Sequence, residues 1–405
     1  MIKFFAKVNK NSAVQKIEIS LLINVFNEMK SRFLFILFLP FFLVSCSYKD
    51  TKSSEKVLLD SVLNLQFAKG FRVTYTPNYK KVELLNNNDQ KVVERYYLVQ
   101  QKQAEVPSDG QKIVVPLQKI AIASNTHIEF LSIIGELDAI AGVCSPDLIY
   151  NDSILIKCRI GEIVNLGDAF SLNLERLIFL SPDVLFVSGF DAGQQDGNKR
   201  IIQTGISVVS NNEWKETTLL GRAEWIKFMA LFFNKEALAE TFFEKVVDDY
   251  FALKQKVESS ITEKPQVMTG GGFKGTWYVP SGRSYMSNLL LDAGGDYVYK
   301  NDTTYESLPL SFEQILHKFS SSDVWVGAPA NCLSELKAID ERYAMFAPIK
   351  NGRVYNFNAR KNVFGANDFW ESGVAHPELI LSDLIKIFHP ELLPKHDFFY
   401  VDSLK

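Results

Sequence analysis

Between Phe33 and Val44 the chain carries an unbroken apolar run, preceded by Lys30 and Arg32 and closed by Ser45 and Cys46. The run falls short of the ~20 residues of a spanning helix and has the layout of a secretory signal opening at Met29. Met29 is therefore the expected start, leaving residues 1–28 superfluous, with a longer leading region as the alternative. The polar stretch "SYKDTKSSEK" after Cys46 suits a tether. "GFRVTYTPNYKKVELL" and "VVERYYLVQQ" then show β-branched and aromatic residues in partial alternation around the turn signal Asn86-Asn87-Asn88-Asp89, and predict one or two hairpins.

From about Lys119 short apolar strands alternate with helical stretches, the signature of α/β units around a parallel sheet. "KIAIAS", "IAGV", "DVLFVSG" and "GISVVS" read as strands, "THIEFLSIIGEL" and "LNLERLIFL" as helices. The order restarts after Pro265 with strands "PQVMTG", "DVWVGA" and "RVYNFN" and helices "SYMSNLLLDAG" and "SFEQILHKF". Leu174-Glu175 to Asp183-Val184 echoes Phe312-Glu313 to Asp323-Val324, so the two halves are similar lobes. Between them Trp225, Phe228, Phe232, Phe242, Val246, Tyr250 and Leu253 fall at helical spacing in a stretch with neither Gly nor Pro after Gly221. This predicts a long helical connector, with a break near Asn234-Lys235, that leaves little room to hinge. The expected organisation is a signal segment 1–45, a tether and β-hairpin extension 46–116, an α/β lobe 117–218, a connecting helix 219–262 and a second α/β lobe 263–405.

"GGGFKGTWY" satisfies G-x-G-x-x-G through Gly270, Gly272 and Gly275. A dinucleotide fingerprint needs a helix opening at the third glycine, but Thr276-Trp277-Tyr278-Val279-Pro280 follows, and no helix is expected before about Ser284. Lys274 precedes Gly275, which rules out a phosphate loop as well. The glycines read instead as a strand-exit loop at the carboxyl edge of a sheet, where backbone can approach a ligand.

Composition narrows the class. A net charge of −3 without a basic stripe argues against a nucleic-acid partner. Beyond Cys46 there are Cys144, Cys158 and Cys332, an odd number that allows at most one internal bridge. Cys144 and Cys158 are the nearer pair, two separate buried thiols being the alternative. Leu43-Val44-Ser45-Cys46 resembles the bacterial lipoprotein signal, in which the cysteine is acylated.

The stretches "IAIASNTHIEFLSIIGELDAIAGV", "LNLERLIFLSPDVLFVSG", "GTWYVPSGRSYMSNLLLDAGGDYVY" and "SFEQILHKFSSSDVWVG" together resemble the helical-backbone class of ABC-transporter substrate-binding proteins, those for vitamin B12, ferric siderophores and haem. The resemblance covers nearly all of residues 117–400. It implies two Rossmann-like lobes with parallel sheets bridged by a long α-helix, a ligand in the shallow cleft between them, and an ABC permease and ATPase as partners. It also implies a cell-envelope protein held on the membrane through Cys46.

By the same resemblance His127 stands at a cleft-edge loop and Phe369 and Trp370 border the cleft, while Trp277 and Tyr278 offer flat faces to a corrin, porphyrin or catecholate chelate. Glu175 matches the carboxylate that such proteins present to permease arginines. Asp296 falls where the second lobe usually has its glutamate. No residue set selects among cobalamin, ferric siderophore and haem, and no cofactor is expected. His376-Pro377-Glu378, His389-Pro390-Glu391 and His396 would suit a bare metal ion, but proline at helix boundaries explains both repeats more simply. No H-E-x-x-H, G-x-S-x-G or Cys/His set stands at usable spacing, so an enzyme is not expected. The alternative functions are an envelope sensor or interaction module of this fold, or a lipoprotein binding a divalent metal directly.

Overall fold

The computed structural model describes residues 61–189 and 192–405. The signal segment, Met29 and Cys46 lie outside them.

The first lobe is a five-stranded sheet in the order β12-β11-β6-β7-β8, all parallel. Its strands are β6 (Ile120–Ile122), β7 (Ile140–Val143), β8 (Val164–Asn165), β11 (Val184–Ser188) and β12 (Ser207–Asn211). β9 (Gly167–Asp168) and β10 (Ser171–Leu172) form a separate ribbon. All five residues of β11 are buried, as a central strand covered on both faces requires.

The second lobe is built on β13 (Val267–Thr269), β17 (Val324–Val326) and β18 (Val354–Asn356) in parallel, with β19 (Asp402–Ser403) antiparallel at the edge. Corresponding aspartates join the strands of each lobe. Asp183 accepts hydrogen bonds from the Gln118 and Lys119 amides at 3.0 and 2.9 Å, and Asp323 accepts from Gln266 at 2.7 Å. The internal repeat is thus chemical as well as topological.

The connector is not one helix. Leu219–Ala223 and Trp225–Leu231 precede the 25-residue helix Glu236–Ser260, and the break is made at Asn234, which takes a left-handed φ of 56°. Ala239 and Phe243 of the long helix are buried in the first lobe's core, and Val246, Tyr250 and Val257 in the second's. One rigid element therefore contributes to both cores, which opposes independent lobe motion.

The extension ahead of the first lobe is larger than the expected hairpins. It is a five-stranded sheet in sequential order: β1 (Ser61–Val62), β2 (Phe71–Tyr75), β3 (Lys80–Leu85), β4 (Val92–Val99) and β5 (Gln111–Val114), the last joining parallel to β4. Phe71, Val73, Val82, Tyr96 and Leu98 belong to the same core as Trp225, Phe228 and Phe232.

Two buried carboxylates hold the start of this sheet. Glu224 accepts the backbone N–H groups of Gln66, Phe67 and Ala68 at 2.9, 2.7 and 2.8 Å, and Glu216 accepts those of Lys69 and Gly70 at 2.9 and 2.8 Å together with the indole of Trp225 at 3.0 Å. At the far side the Gln111 carboxamide pairs with both backbone groups of Val208, and the Tyr96 hydroxyl accepts from the Ser210 amide at 2.9 Å. Side chains of the extension thereby occupy the outer edge of β12.

Candidate functional site

The parallel strands of both lobes run toward a common crevice. Asn125 follows β6, Asn212 follows β12, Gly270 follows β13, Gly327 follows β17 and Phe357 follows β18, and all five line one open cleft of about 1540 Å³. Crevices beyond the carboxyl ends of parallel strands are where open α/β sheets bind ligands. The volume exceeds the ~300–1,000 Å³ of most small-molecule pockets, which gives room for a bulky ligand.

The glycine string forms a β-hairpin rather than a loop. β14 (Gly271–Phe273) pairs with β15 (Thr276–Val279), β16 (Leu308–Leu310) adds to it, and Lys274 and Gly275, with φ of 50° and 83°, make the two-residue turn. Two successive positive φ values are what a type I′ turn demands. Gly270 is required where it stands: φ is 81° and a Cβ there would lie 2.2 Å from the Tyr278 carbonyl oxygen.

The hairpin separates the expected aromatic pair, because neighbours on a strand face opposite sides. Tyr278 is 45% exposed and lines the cleft, whereas Trp277 is 2% exposed. Trp277 packs among Trp325, Tyr343 and Phe346 with centroids 5.4 to 5.9 Å away and donates to the Thr269 carbonyl at 3.2 Å. It is a core residue, and the expectation of a ligand contact is corrected accordingly.

His127 is also turned inward. It occupies the second position of the helix Thr126–Ile133, is fully buried near Phe186, and has neither ring nitrogen hydrogen-bonded. Burial pushes its imidazole down to about 3, and the ring is not part of the cleft lining.

Phe369 and Trp370 both line the cleft, in a short turn held from below. Asp368 pairs with Arg360 at 2.5 Å, and Asn367 accepts from the Phe369 amide at 3.0 Å while donating to the Phe357 carbonyl at 2.7 Å. Phe369 stacks on Phe357 with centroids 4.4 Å apart and is mostly covered, leaving Trp370 as the exposed ring.

Four cationic side chains, Lys69, Lys215, Arg283 and Lys361, line the cleft among its described residues, against the carboxylates Glu306 and Glu216. Glu216 faces the backbone amides already described, so the accessible balance is positive. Lys361 bonds Asn331, and Arg283 reaches the Tyr305 hydroxyl at 3.1 Å. These positions carry no motif. Lys215, Arg283 and Lys361 lie four or five residues past the ends of β12, β15 and β18, and Lys69 lies two residues ahead of β2.

The carboxylates expected to meet a permease lie elsewhere. Glu175 is exposed in the first turn of Leu174–Leu180, capped by Asn173, and shares its helix face with Ile178 and with Phe179, which is 90% exposed. Its counterpart in the second lobe is Glu313, exposed in the first turn of Phe312–Phe319 and capped by Ser311. Asp296 stands at a different place on the second lobe, half-exposed after the helix Tyr285–Asp292, where it pairs with Lys300 at 2.5 Å.

His376 caps the start of Pro377–Phe388 and His389 its end, roughly 20 Å apart at 1.5 Å per residue. The repeated His-Pro-Glu therefore does not gather at one point. Among the described residues no group of three or more His, Cys, Asp or Glu side chains could hold a metal ion. Cys144, Cys158 and Cys332 are free thiols.

His376 instead joins the lobes, bonding Glu129 of the first and Glu378 of the second, each at 3.1 Å. Burial opposes its charge, but the two carboxylates outweigh burial and raise the imidazole to about 9. The stabilisation is complete below the ordinary histidine value of about 6.5 and is lost as pH rises through about 9. Glu371, which accepts the Tyr150 and Asn151 amides across the same contact, is pushed up to about 8 by burial and acts in the same direction. Thermal melts should show stability falling by on the order of 2–3 kcal/mol between pH 6.5 and 9.5, with a flatter profile for His376→Gln. An equally steep profile in that variant would refute the assignment.

Comparison with known proteins adds to this geometry. Residues 120–360 match the periplasmic binding protein family. An uncharacterized lipoprotein of Methanocaldococcus jannaschii is 30% identical over 318 residues, covering 73% of this chain and 72% of the relative. A periplasmic binding protein of Veillonella parvula superposes with a TM-score of 0.55 at 13% identity over 76% of this chain and 98% of its own. Helicobacter pylori CeuE with Ni(II) bound gives 0.52 at 17% identity over 71% and 88%. The two structures share the fold of the chain described above.

Proposed function

The chain belongs to the periplasmic binding protein family, and from that premise we propose that it is the lipid-anchored capture component of an ABC importer for a metal chelate. The chelate is cobalamin, a ferric siderophore or haem. The observation that carries the reading is the interlobe cleft, large enough for a bulky molecule and lined by the exposed faces of Tyr278 and Trp370 beside four cations. Flat aromatic faces suit a planar or aromatic chelate, and cations suit its acidic groups.

Titration of purified protein with cobalamin, haemin, a ferric tris-catecholate and a panel of divalent ions including Ni(II) tests the reading, with tryptophan fluorescence as the signal. A chelate is expected to bind and quench, and Trp370→Ala is expected to weaken it about thirtyfold, or ~2 kcal/mol, as for an interface hot spot. Binding of a bare divalent ion without any chelate would overturn the proposal.

The anchor is a separate element of the proposal. It rests on Leu43-Val44-Ser45-Cys46 and on the relative being named a lipoprotein. Cys46→Ser should move the protein from the membrane to the soluble fraction of its host. Retention on the membrane would show that acylation of Cys46 is not what holds it.

A further inference from the structure

We propose that the N-terminal sheet is a third wall of the ligand site, and that Lys69 and the β3–β4 turn select an anionic ligand whose outer edge carries hydrogen-bonding oxygen or amide groups. This rests on the chelate-binding reading and assigns a role to a part of the chain ahead of the residues, 120–360, that match the family.

Lys69, Leu85, Asn86, Asn87, Asn88 and Val93 line the same cleft as Tyr278 and Trp370. Their placement is fixed at three points. Glu216 holds the amides of Lys69 and Gly70, so the backbone carrying the ammonium is pinned at the cleft margin. Gly70 lies so close to Trp225 that a Cβ would stand 2.7 Å from the ring, which leaves the chain no room to shift there. The turn itself is tied across the cleft rim, where the Asn87 carboxamide donates to the Lys215 carbonyl at 2.8 Å.

Within the turn the Asn86 side-chain Oδ1 accepts from the Asn88 backbone amide at 2.9 Å, an Asx turn that sets the backbone and leaves the Asn86 side-chain Nδ2 available. The Asn88 carboxamide is exposed, and neither it nor the Lys69 ammonium has a hydrogen-bond or ion-pair partner among the described residues. A carboxamide offers two donors and an acceptor without charge, and an ammonium offers three donors with charge. Together at a preformed rim they fit a ligand that presents acidic oxygens toward Lys69 and amide or hydroxyl groups toward the turn. Preorganisation matters because donors held by the scaffold lose little freedom on binding.

The test compares wild type, Asn86→Ala/Asn88→Ala, Lys69→Glu, Lys69→Arg and Trp370→Ala in titrations with haemin, cyanocobalamin and a ferric tris-catecholate, after thermal melts establish that each variant is folded. For the probe that binds wild type, the double asparagine variant should lose about tenfold in affinity, Lys69→Glu more than that for an anionic probe, and Lys69→Arg should restore most of the loss. Affinities unchanged within about twofold in the asparagine and Lys69→Glu variants, alongside a weakened Trp370→Ala, would overturn the third wall and leave the chelate reading standing. Failure of all three probes to bind wild type would overturn the chelate reading and this inference with it.

Discussion

Glu224→Ala is expected to destabilise the protein by about 3–5 kcal/mol, the range for removing one partner of a buried charged network. Glu224 is fully buried, and besides the amides of residues 66–68 it pairs with Lys227 at 3.1 Å, itself only 2% exposed. Alanine would strand three N–H donors and leave the ammonium with the Glu240 carboxylate at 2.9 Å and the face of the Phe243 ring. Glu224→Gln keeps an acceptor and should cost less, about 1–2 kcal/mol. Guanidinium unfolding midpoints measure both, and hydrogen exchange at the amides of 66–68 localises the effect. A change below about 1 kcal/mol for the alanine variant would show that the clamp contributes little.

The second large effect concerns transport. Reversal of Glu175 and Glu313 to Arg should abolish uptake by the intact importer while leaving ligand affinity within a factor of about three, because rim charges act on docking and specificity. The two glutamates correspond between the lobes: each sits in the first turn of a capped helix that leads into a central strand, β11 in one lobe and β17 in the other. Phe179 beside Glu175 offers an apolar contact on the same face. Asp296→Arg, with its carboxylate already held by Lys300, should transport normally. Loss of uptake from Asp296→Arg alone, with normal uptake by the double variant, would reverse the assignment.

The architecture was legible where chemistry and periodicity act over a few residues. "IAGV" corresponds to β7 residue for residue, because a strand covered on both faces must be a short apolar run. Ser311 and Gln314 form a capping box, so the start of Phe312–Phe319 is written in four residues. The break at Asn234 was legible for a similar reason, asparagine tolerating a left-handed backbone.

Longer-range features were not legible. Trp277 and Tyr278 look alike in a row of aromatics, and only the pairing of β14 with β15 decides which of them faces the cleft. His127 carries a polar ring to a buried position that no local pattern marks. The role of the extension was hidden because its anchors, Glu216 and Glu224, lie about 150 positions along the chain from the amides they hold. Asn86 to Asn88 announced a turn, but nothing in the triplet says what the turn faces.

The contact between the extension and β12 bears on self-association. A parallel sheet that ends in an open strand presents a row of unpaired amides and carbonyls, a template on which a neighbouring copy can lengthen the sheet. Here the outward groups of Val208 and the amide of Ser210 are taken by the side chains of Gln111 and Tyr96. A side chain consumes the template without offering a new one beyond it, as an added strand would. The first lobe's sheet therefore stops growing at β12, and crowding of copies does not convert that edge into a polymer seam.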